Sequence, residues 1–582
     1  MRKLLFLFIG LSLIGQSMSK NRTHDNIRGW TILSNSYSDA IKVIDASKNY
    51  NINHLQLSHE LIMDLREIKN EAKSNVINSL IDRAHSKGIK EVVLWDHSLY
   101  ELDYYPKKFR TGPDSTLNFD NKAFWEYFKN DYREMMKIVP NADGLVLTFI
   151  ETGARTENQY SELLKTGPEK LAYLVDAVAS VVCNELHKKL YIRTFAYSDA
   201  EYANTIGCIK HIKNKNVILM MKETPHDFFL THPNDKYAGT IDRPTIMEFD
   251  TGNEFNGQGE IANTWVEYVT KRWRNYMQRD HIIGYVARTD RYGDTRLVGK
   301  PNEILLYALK RTTEQPSITD DEIYNEFIIN HYGEKALTEI KAAFKLSFDI
   351  VTSTLYTLGT NTANHSALNY DPYTSSYGRH VSGKWLSPPI VFVGHDVNRQ
   401  FNYWKDIIQH IAPAKLKSKK SVLMKEAPYV LTNNWITDKE CMTEEYLKYI
   451  IAEKKYGVEK AQQALLLIEQ TKTKIDAENY NQLYQLFYRT LLTAQLHSAV
   501  ATAYWGYRIY TRGGSFITPE LTETIHLALN EMKSTSQKIE NYTEYYPIGQ
   551  WNWKDDAKMA RQYYDWITLG TWKEYNYIQF KY

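Results

Sequence analysis

The chain has 582 residues, more than one hydrophobic core usually organises, so one large domain and at least one further unit are expected. Its formal charge of +2 argues against a nucleic-acid binder held by phosphate neutralisation. Three cysteines, Cys183, Cys208 and Cys441, lack metal-ligand spacing, which argues against a structural zinc site. Cys183 and Cys208 lie in helical patterns and are expected as buried thiols; a disulfide between them is the less favoured alternative.

The chain opens with "MRKLLFLFIGLSLIGQSMSK": two cations, an apolar run from Leu4 to Ile14, then small residues. This pattern predicts a secretory signal peptide over residues 1–19, and a secreted or periplasmic protein with no membrane span. Apolar β-type runs follow at "GWTILSNS" (29–36), "HLQLSH" (54–59), "EVVLWDHS" (91–98), "GLVLTFIE" (144–151), "LYIRTFAY" (190–197), "NVILMMKE" (216–223), "TIMEFD" (245–250) and "IIGYVARTD" (282–290). Amphipathic helical patterns separate most of them. Between the sixth and seventh runs, "FFLTHPNDKYAG" reads as a loop. Near-continuous apolar strands alternating with helices imply a parallel sheet covered on both faces. Eight such units predict a (β/α)8 TIM barrel over residues 28–315.

Beyond about residue 315 the β signal fades, and residues 316–582 are expected to form an all-α C-terminal domain. Within it, a polar stretch from about Gly359 to Gly394 is too long for a passive connection and is a candidate to cover the active face. The Trp- and Tyr-rich C-terminus, beginning "GQWNW", reads as a seam between the helical domain and the barrel, with a sugar platform as the alternative.

Barrel chemistry sits at the C-terminal ends of the strands. Those ends carry Ser58, His59 and Glu60; Asp96 and His97; Glu151; Arg193, Tyr197 and Asp199; Lys222, Glu223 and Asp227; Glu248, Asp250 and Glu254; and Arg288, Asp290 and Arg291. Carboxylates from different strands with cations between them suit glycosidic bond cleavage. One carboxylic acid protonates the leaving oxygen while another activates water or attacks the anomeric carbon. Any one of these residues could instead cap a helix or join an ion pair between strands. Glu151, Asp227 and Glu254 taken together favour the functional reading. Gly252, Gly257 and Gly259 would let the backbone turn close to a sugar.

The run "LMMKETPHDFFLTHP" (219–233), followed by "TIMEFDTGNEFNGQG" (245–259) and "GYVARTDRYGDT" (284–295), resembles the core of the family 67 glycoside hydrolases, the α-glucuronidases. The resemblance is strongest over residues 144–330. It implies that Glu151 is the general acid and that Asp227 and Glu254 position and deprotonate the attacking water. It also implies inversion at the anomeric carbon, for which acid and base stand roughly 6.5–9.5 Å apart. Arg193 and Lys222 match cations that bind the substrate carboxylate. Three features depart from the family: Leu147 stands where a further lysine is usual, Glu223-Thr224 replaces Asn-Gly, and the barrel is expected to follow the signal peptide without the family's β-containing domain.

Glu248 is expected either to pair with Arg193 or Lys222 or to position substrate. Asp290 and Arg291 are expected to pair with each other and shape the floor of the site. His97 could hydrogen-bond a sugar hydroxyl or be a satisfied wall residue. The resulting expectation is an exo-acting, inverting, α-glucuronidase-like hydrolase that releases a terminal acidic sugar from plant or algal oligosaccharides. No metal or organic cofactor is expected; the partner is an oligosaccharide, and a homodimer remains open. The alternatives are a glycosidase for a neutral or sulfated sugar, kept open by Leu147, and a non-catalytic carbohydrate-binding protein.

Overall fold

The computed structural model describes residues 26–196, 199–225, 227–293, 295–357, 360–361, 365–368, 444–544, 551–570 and 579–582. The expected signal peptide, Tyr197, Cys441 and most of the Gly359–Gly394 stretch lie outside the described residues.

Eight strands pair in sequence order and close on themselves: β1 (Ile27–Ile32), β2 (His54–Leu57), β3 (Glu91–His97), β4 (Gly144–Thr148), β5 (Lys189–Arg193), β6 (Val217–Lys222), β7 (Thr245–Phe249) and β8 (Ile282–Arg288). Every pairing is parallel, including β1 with β8. Each expected strand is present, but several expected C-terminal ends run past the ladder into the loops above it. Side chains alternate across the sheet. Val93, Trp95, Val146, Tyr191, Ile218, Met220, Ile246 and Val286 fill the barrel interior. Their neighbours Leu94, Leu145, Leu147, Ile192, Leu219, Met221, Met247 and Ala287 face outward into the core shared with the helices.

That core is built by α1 (Tyr37–Ala46), α2 (Glu71–Ser86), α3 (Lys122–Ile138), α4 (Gly167–Ala179), α5 (Asp199–Ile209), α6 (Val266–Met277) and α7 (Ile304–Glu314). Helix α3 shows the logic. Asn121 caps its first turn by accepting from the Ala123 amide, and Phe124, Trp125, Phe128, Tyr132, Met135 and Met136 recur on its buried face. Each such side chain contributes roughly 1.5–3 kcal/mol by burial. Among the described residues no α-helix joins β6 to β7, as the sequence predicts; an irregular loop takes its place.

The chain continues through α8 (Asp320–Tyr332), α9 (Leu337–Thr354), α10 (Glu444–Glu469), α11 (Ala477–Tyr510), α12 (Pro519–Glu540) and α13 (Asp555–Leu569). Helix α10 packs between α9 and α11, and α12 lies between α11 and α13. None of the described helices is long and apolar enough to cross a membrane. Cys183 and Cys208 are buried free thiols, so the disulfide alternative falls. Burial pushes the Cys183 thiol up to about 11 and the Cys208 thiol to about 12.

The helical region grips the loop between β7 and α6. Thr490 accepts from the Ala262 amide at 2.9 Å, Tyr324 from the Val266 amide at 3.1 Å, and Arg489 donates to the Glu260 carbonyl at 2.8 Å. Trp551 is buried and donates its amide to Gln258 at 3.2 Å, while the Trp553 indole donates to Thr493 at 2.8 Å. Trp551 therefore sits in the seam, while Trp553 bonds within the helical region.

Candidate active site

The inward-facing parity of the strands delivers His97, Arg193, Lys222, Glu248 and Arg288 to the C-terminal mouth of the barrel, all buried. Arg193 donates Nε and Nη2 to Glu248 at 2.6 and 3.1 Å. Arg288 donates Nη2 to Glu248 at 3.0 Å and Nη1 to Glu254 Oε2 at 2.8 Å. Arg291 donates Nη2 to Glu254 Oε1 at 2.6 Å. An unbroken row of alternating charge, Arg193–Glu248–Arg288–Glu254–Arg291, thus crosses the mouth. Desolvating so many charges costs several kcal/mol per ion, and only this mutual hydrogen bonding offsets it.

The row sets protonation states. Burial opposes ionisation of Glu248, but Arg193 and Arg288 outweigh it and hold the carboxyl below its ordinary value. For Glu254, burial is likewise outweighed by Arg291, His365 and Arg288, which hold it well below the ordinary range. Asp250 behaves oppositely. Burial, reinforced by the charge of Glu254 and opposed by Arg288, raises it to about 6. Its Oδ2 accepts from the Glu254 amide at 2.7 Å and so fixes the turn that carries Glu254.

Lys222 Nζ donates to Asp227 Oδ1 at 2.7 Å and lies 3.6 Å from the ring centre of Phe195 and 4.1 Å from that of Phe228. Burial lowers its pKa, with the Asp227 carboxylate opposing. The Phe228 amide also donates to Asp227 Oδ1, at 3.0 Å, so among the described residues both donors to Asp227 land on one oxygen. Tyr356, just beyond α9, ties the β6 and β7 loops together. Its hydroxyl accepts from the Leu230 amide at 2.8 Å and donates to Asn256 at 2.5 Å.

The opposite wall is aromatic. Trp95 lies 4.8 Å below the Arg193 guanidinium, and the ring of His59 contacts those of Trp95, His97 and Tyr292. Burial, then the charges of Arg288 and Arg291, push His59 well below its ordinary pKa. His97 is also lowered by burial, with Glu151 opposing; its Nδ1 lies 2.7 Å from the Met63 carbonyl. Glu151 stands on the exposed turn after β4 with φ +63°. Its charge is felt by His97 and Tyr292, which places it on the same mouth. His59, Asn253 and Tyr292 also turn with positive φ at strand ends. Such conformations are uncommon for non-glycine residues and concentrate at functional sites.

Of the residues singled out from sequence, Glu151, Asp227, Glu254, Arg193, Lys222, Glu248, His97 and Arg291 border this mouth. Asp290 does not pair with Arg291. Its carboxylate accepts from the amides of Ser34 at 2.9 Å and Leu33 at 3.2 Å, stitching the end of β8 to the end of β1, while Arg291 turns to Glu254. Successive residues of an extended chain point in opposite directions, which separates the two. Asp96 faces outward, accepting from Tyr100, Tyr132 and the Leu65 amide. Glu223 also faces outward, toward Arg272, and burial raises it to about 7. Leu147 packs in the outer core, so its departure from the family pattern does not reshape the mouth. Gly252 serves the protein itself: a Cβ there would stand 2.4 Å from the Asp290 carbonyl oxygen.

Arg288, Asp250 and His59 stand among the polar strand ends of the sequence without a role of their own; alternation along β8 turns Arg288 inward with Val286. His365 belongs to the Gly359–Gly394 stretch expected over the active face, but nothing in that stretch singles it out. The segment 365–368 docks on the β7 loop, and His365 Nε2 lies 3.4 Å from Glu254 Oε1.

No family model matches the chain, and no curated protein does. A solved structure shares its fold. A GH138 enzyme targeting pectin rhamnogalacturonan II aligns over 93% of this chain and 68% of its own, with a TM-score of 0.58 at 11% identity. A family GH115 4-O-methyl-α-glucuronidase with specificity for decorated arabinogalactans aligns over 92% of this chain and 61% of its own, at 8% identity and a TM-score of 0.45. These structural neighbours are glycoside hydrolases. At such identities the first likeness speaks to the fold alone.

Proposed function

We propose that the protein is an exported glycoside hydrolase that removes a terminal, acidic sugar from plant or algal oligosaccharides with inversion. The observation that carries this reading is the pair of carboxylate environments on one mouth. Glu254 is buried and held ionised by two guanidinium groups, whereas Glu151 is exposed at the end of a different strand. An ionised, fixed carboxylate suits the base that takes a proton from water, and a solvent-facing one suits the acid that meets the leaving group. Asp227, held on one oxygen by Lys222, assists in placing the water. The inverting geometry and the acidic sugar come from the family 67 resemblance.

One observation favours a second reading for the substrate. Each of Arg193, Lys222, Arg288 and Arg291 already donates to a carboxylate of the protein. A mouth neutralised in this way also suits an uncharged sugar cleaved by the same carboxylates.

The test is sugar release from a panel of acidic and neutral plant and algal oligosaccharides, including pectic fragments, followed by proton NMR from the first minutes. A uronic acid of an α-linked substrate appearing first as the β anomer, and absent with Glu151→Ala, is the expected result. A neutral sugar with the same Glu151 dependence would keep the mechanism and replace the substrate. Binding without turnover across the panel would overturn the enzyme reading.

A further inference from the structure

The two oxygens of Glu254 are not equivalent. A carboxylate oxygen offers two lone pairs. Oε2 receives one donor, Arg288 Nη1 at 2.8 Å. Oε1 receives Arg291 Nη2 at 2.6 Å and faces His365 Nε2 at 3.4 Å. His365 comes from beyond α9, outside the strands and loops of the barrel, and its place is fixed. Its ring stacks on Phe255 with centres 5.0 Å apart, and its carbonyl accepts from Gln258 Nε2 at 2.7 Å. The next residue, Ser366, accepts from the Gly257 amide at 2.8 Å and donates to the carbonyl of Glu254 at 3.0 Å. Leu368 is anchored in turn by Asp556 at the start of α13, at 3.1 Å. The helical region thus holds this imidazole against a carboxylate that the barrel presents.

We propose that His365 is a positioning residue for Glu254: with Arg291 it occupies the side of Oε1, so that Oε2 is the oxygen that takes the proton from the attacking water. The inference rests on Glu254 being the base. In the step itself, a proton passes from water to Oε2, the water oxygen forms the new bond to the anomeric carbon, and the bond to the leaving oxygen breaks as Glu151 protonates it. Removing His365 frees Oε1 to compete and lets the carboxylate rotate. It also takes away a group that holds Glu254 below its ordinary pKa. The charged and titratable groups facing Glu254 are then Arg288 and Arg291 from the β8 side and Asp250 from β7, with Tyr292 and His59 behind them.

The experiment compares wild type, His365→Ala, His365→Gln and Glu254→Ala on whichever oligosaccharide of the panel the wild type cleaves. For His365→Ala we expect kcat to fall roughly tenfold to a hundredfold, the scale of removing one polar partner from a buried charged group. KM should change little, and the acid limb of the kcat profile should move to higher pH. Glutamine, which keeps a donor, should restore part of kcat. A purely structural role would lower Tm without moving the acid limb. If Glu254→Ala silences the enzyme while His365→Ala leaves kcat and the acid limb in place, the His365 inference falls alone. If Glu254→Ala keeps wild-type kcat, the assignment of the base falls, and this inference with it. If no oligosaccharide is cleaved, a thermal-unfolding double-mutant cycle of His365→Gln with Glu254→Gln decides, and purely additive effects overturn the pairing.

Discussion

The loops after β4 and β7 carry the two carboxylates for which we propose opposite tasks, and they are built in opposite ways. The β7 loop is clamped from below by Arg288 and Arg291, from its own turn by Asp250, and from above by Ser366, Thr490 and Arg489. The β4 loop leaves Glu151 exposed on a positive-φ turn. A base that must stay ionised in a dry site needs fixed donors that require no reorganisation. An acid that must be reprotonated each cycle needs access to water. Rigidity and exposure therefore fall on different strands of one barrel.

Four measurements would break or sharpen that contrast. The largest effect is expected from the carboxylates themselves: Glu151→Ala and Glu254→Ala should each lower kcat by about 10²–10⁴-fold. A leaving group that needs no protonation should restore activity to the Glu151 variant alone. If both variants respond to the leaving group, the division of labour is wrong. Next comes Arg288→Met, which strands Glu248 and Glu254 with one guanidinium each. Breaking a buried pair in this way costs roughly 3–5 kcal/mol, read as a fall in Tm and in the urea midpoint.

Smaller and signed is the pH response of stability. Asp250 is raised from 3.8 to about 6 in the folded protein, so over that window the native state binds a proton that the unfolded chain has released. Stability should therefore fall as pH rises from about 4 to about 6, and Asp250→Asn should flatten that limb. Glu254 has the opposite sign. Its contribution is present above its unfolded value near 4.5 and is lost as pH falls through its lower folded value. Unfolding curves from pH 3 to 7 for both variants separate the two. The smallest effect is expected for Tyr356→Phe, which removes the hydroxyl bridging the Leu230 amide and Asn256 and should cost about 1–2 kcal/mol. Glu223→Gln is the control: it faces the helices, so kcat should hold.

Much of the site could be read without coordinates, because the rule that governs it is local. Once the strands are placed, alternation alone puts Arg193, Lys222, Glu248 and Arg288 inward and Leu147 outward. The same rule applied strictly would have removed Asp96 and Glu223 from the candidate set. Beyond the ladder it lapses. Which way Asp290 and Arg291 turn was settled by the amides of Leu33 and Ser34 at the far seam of the barrel, where β1 meets β8.

The sequence by itself determined the eight strands, the missing helix after β6 and the inward-facing residues at the strand ends, since hydrophobic period and chain order are local properties. Only the tertiary structure decided which carboxylate is held ionised, which is pushed toward neutrality and which histidine reaches in from the helical region. Those depend on distances between side chains as far apart in sequence as Glu254 and Ser366, 112 residues, and on the burial that makes each charge costly unless it is paired.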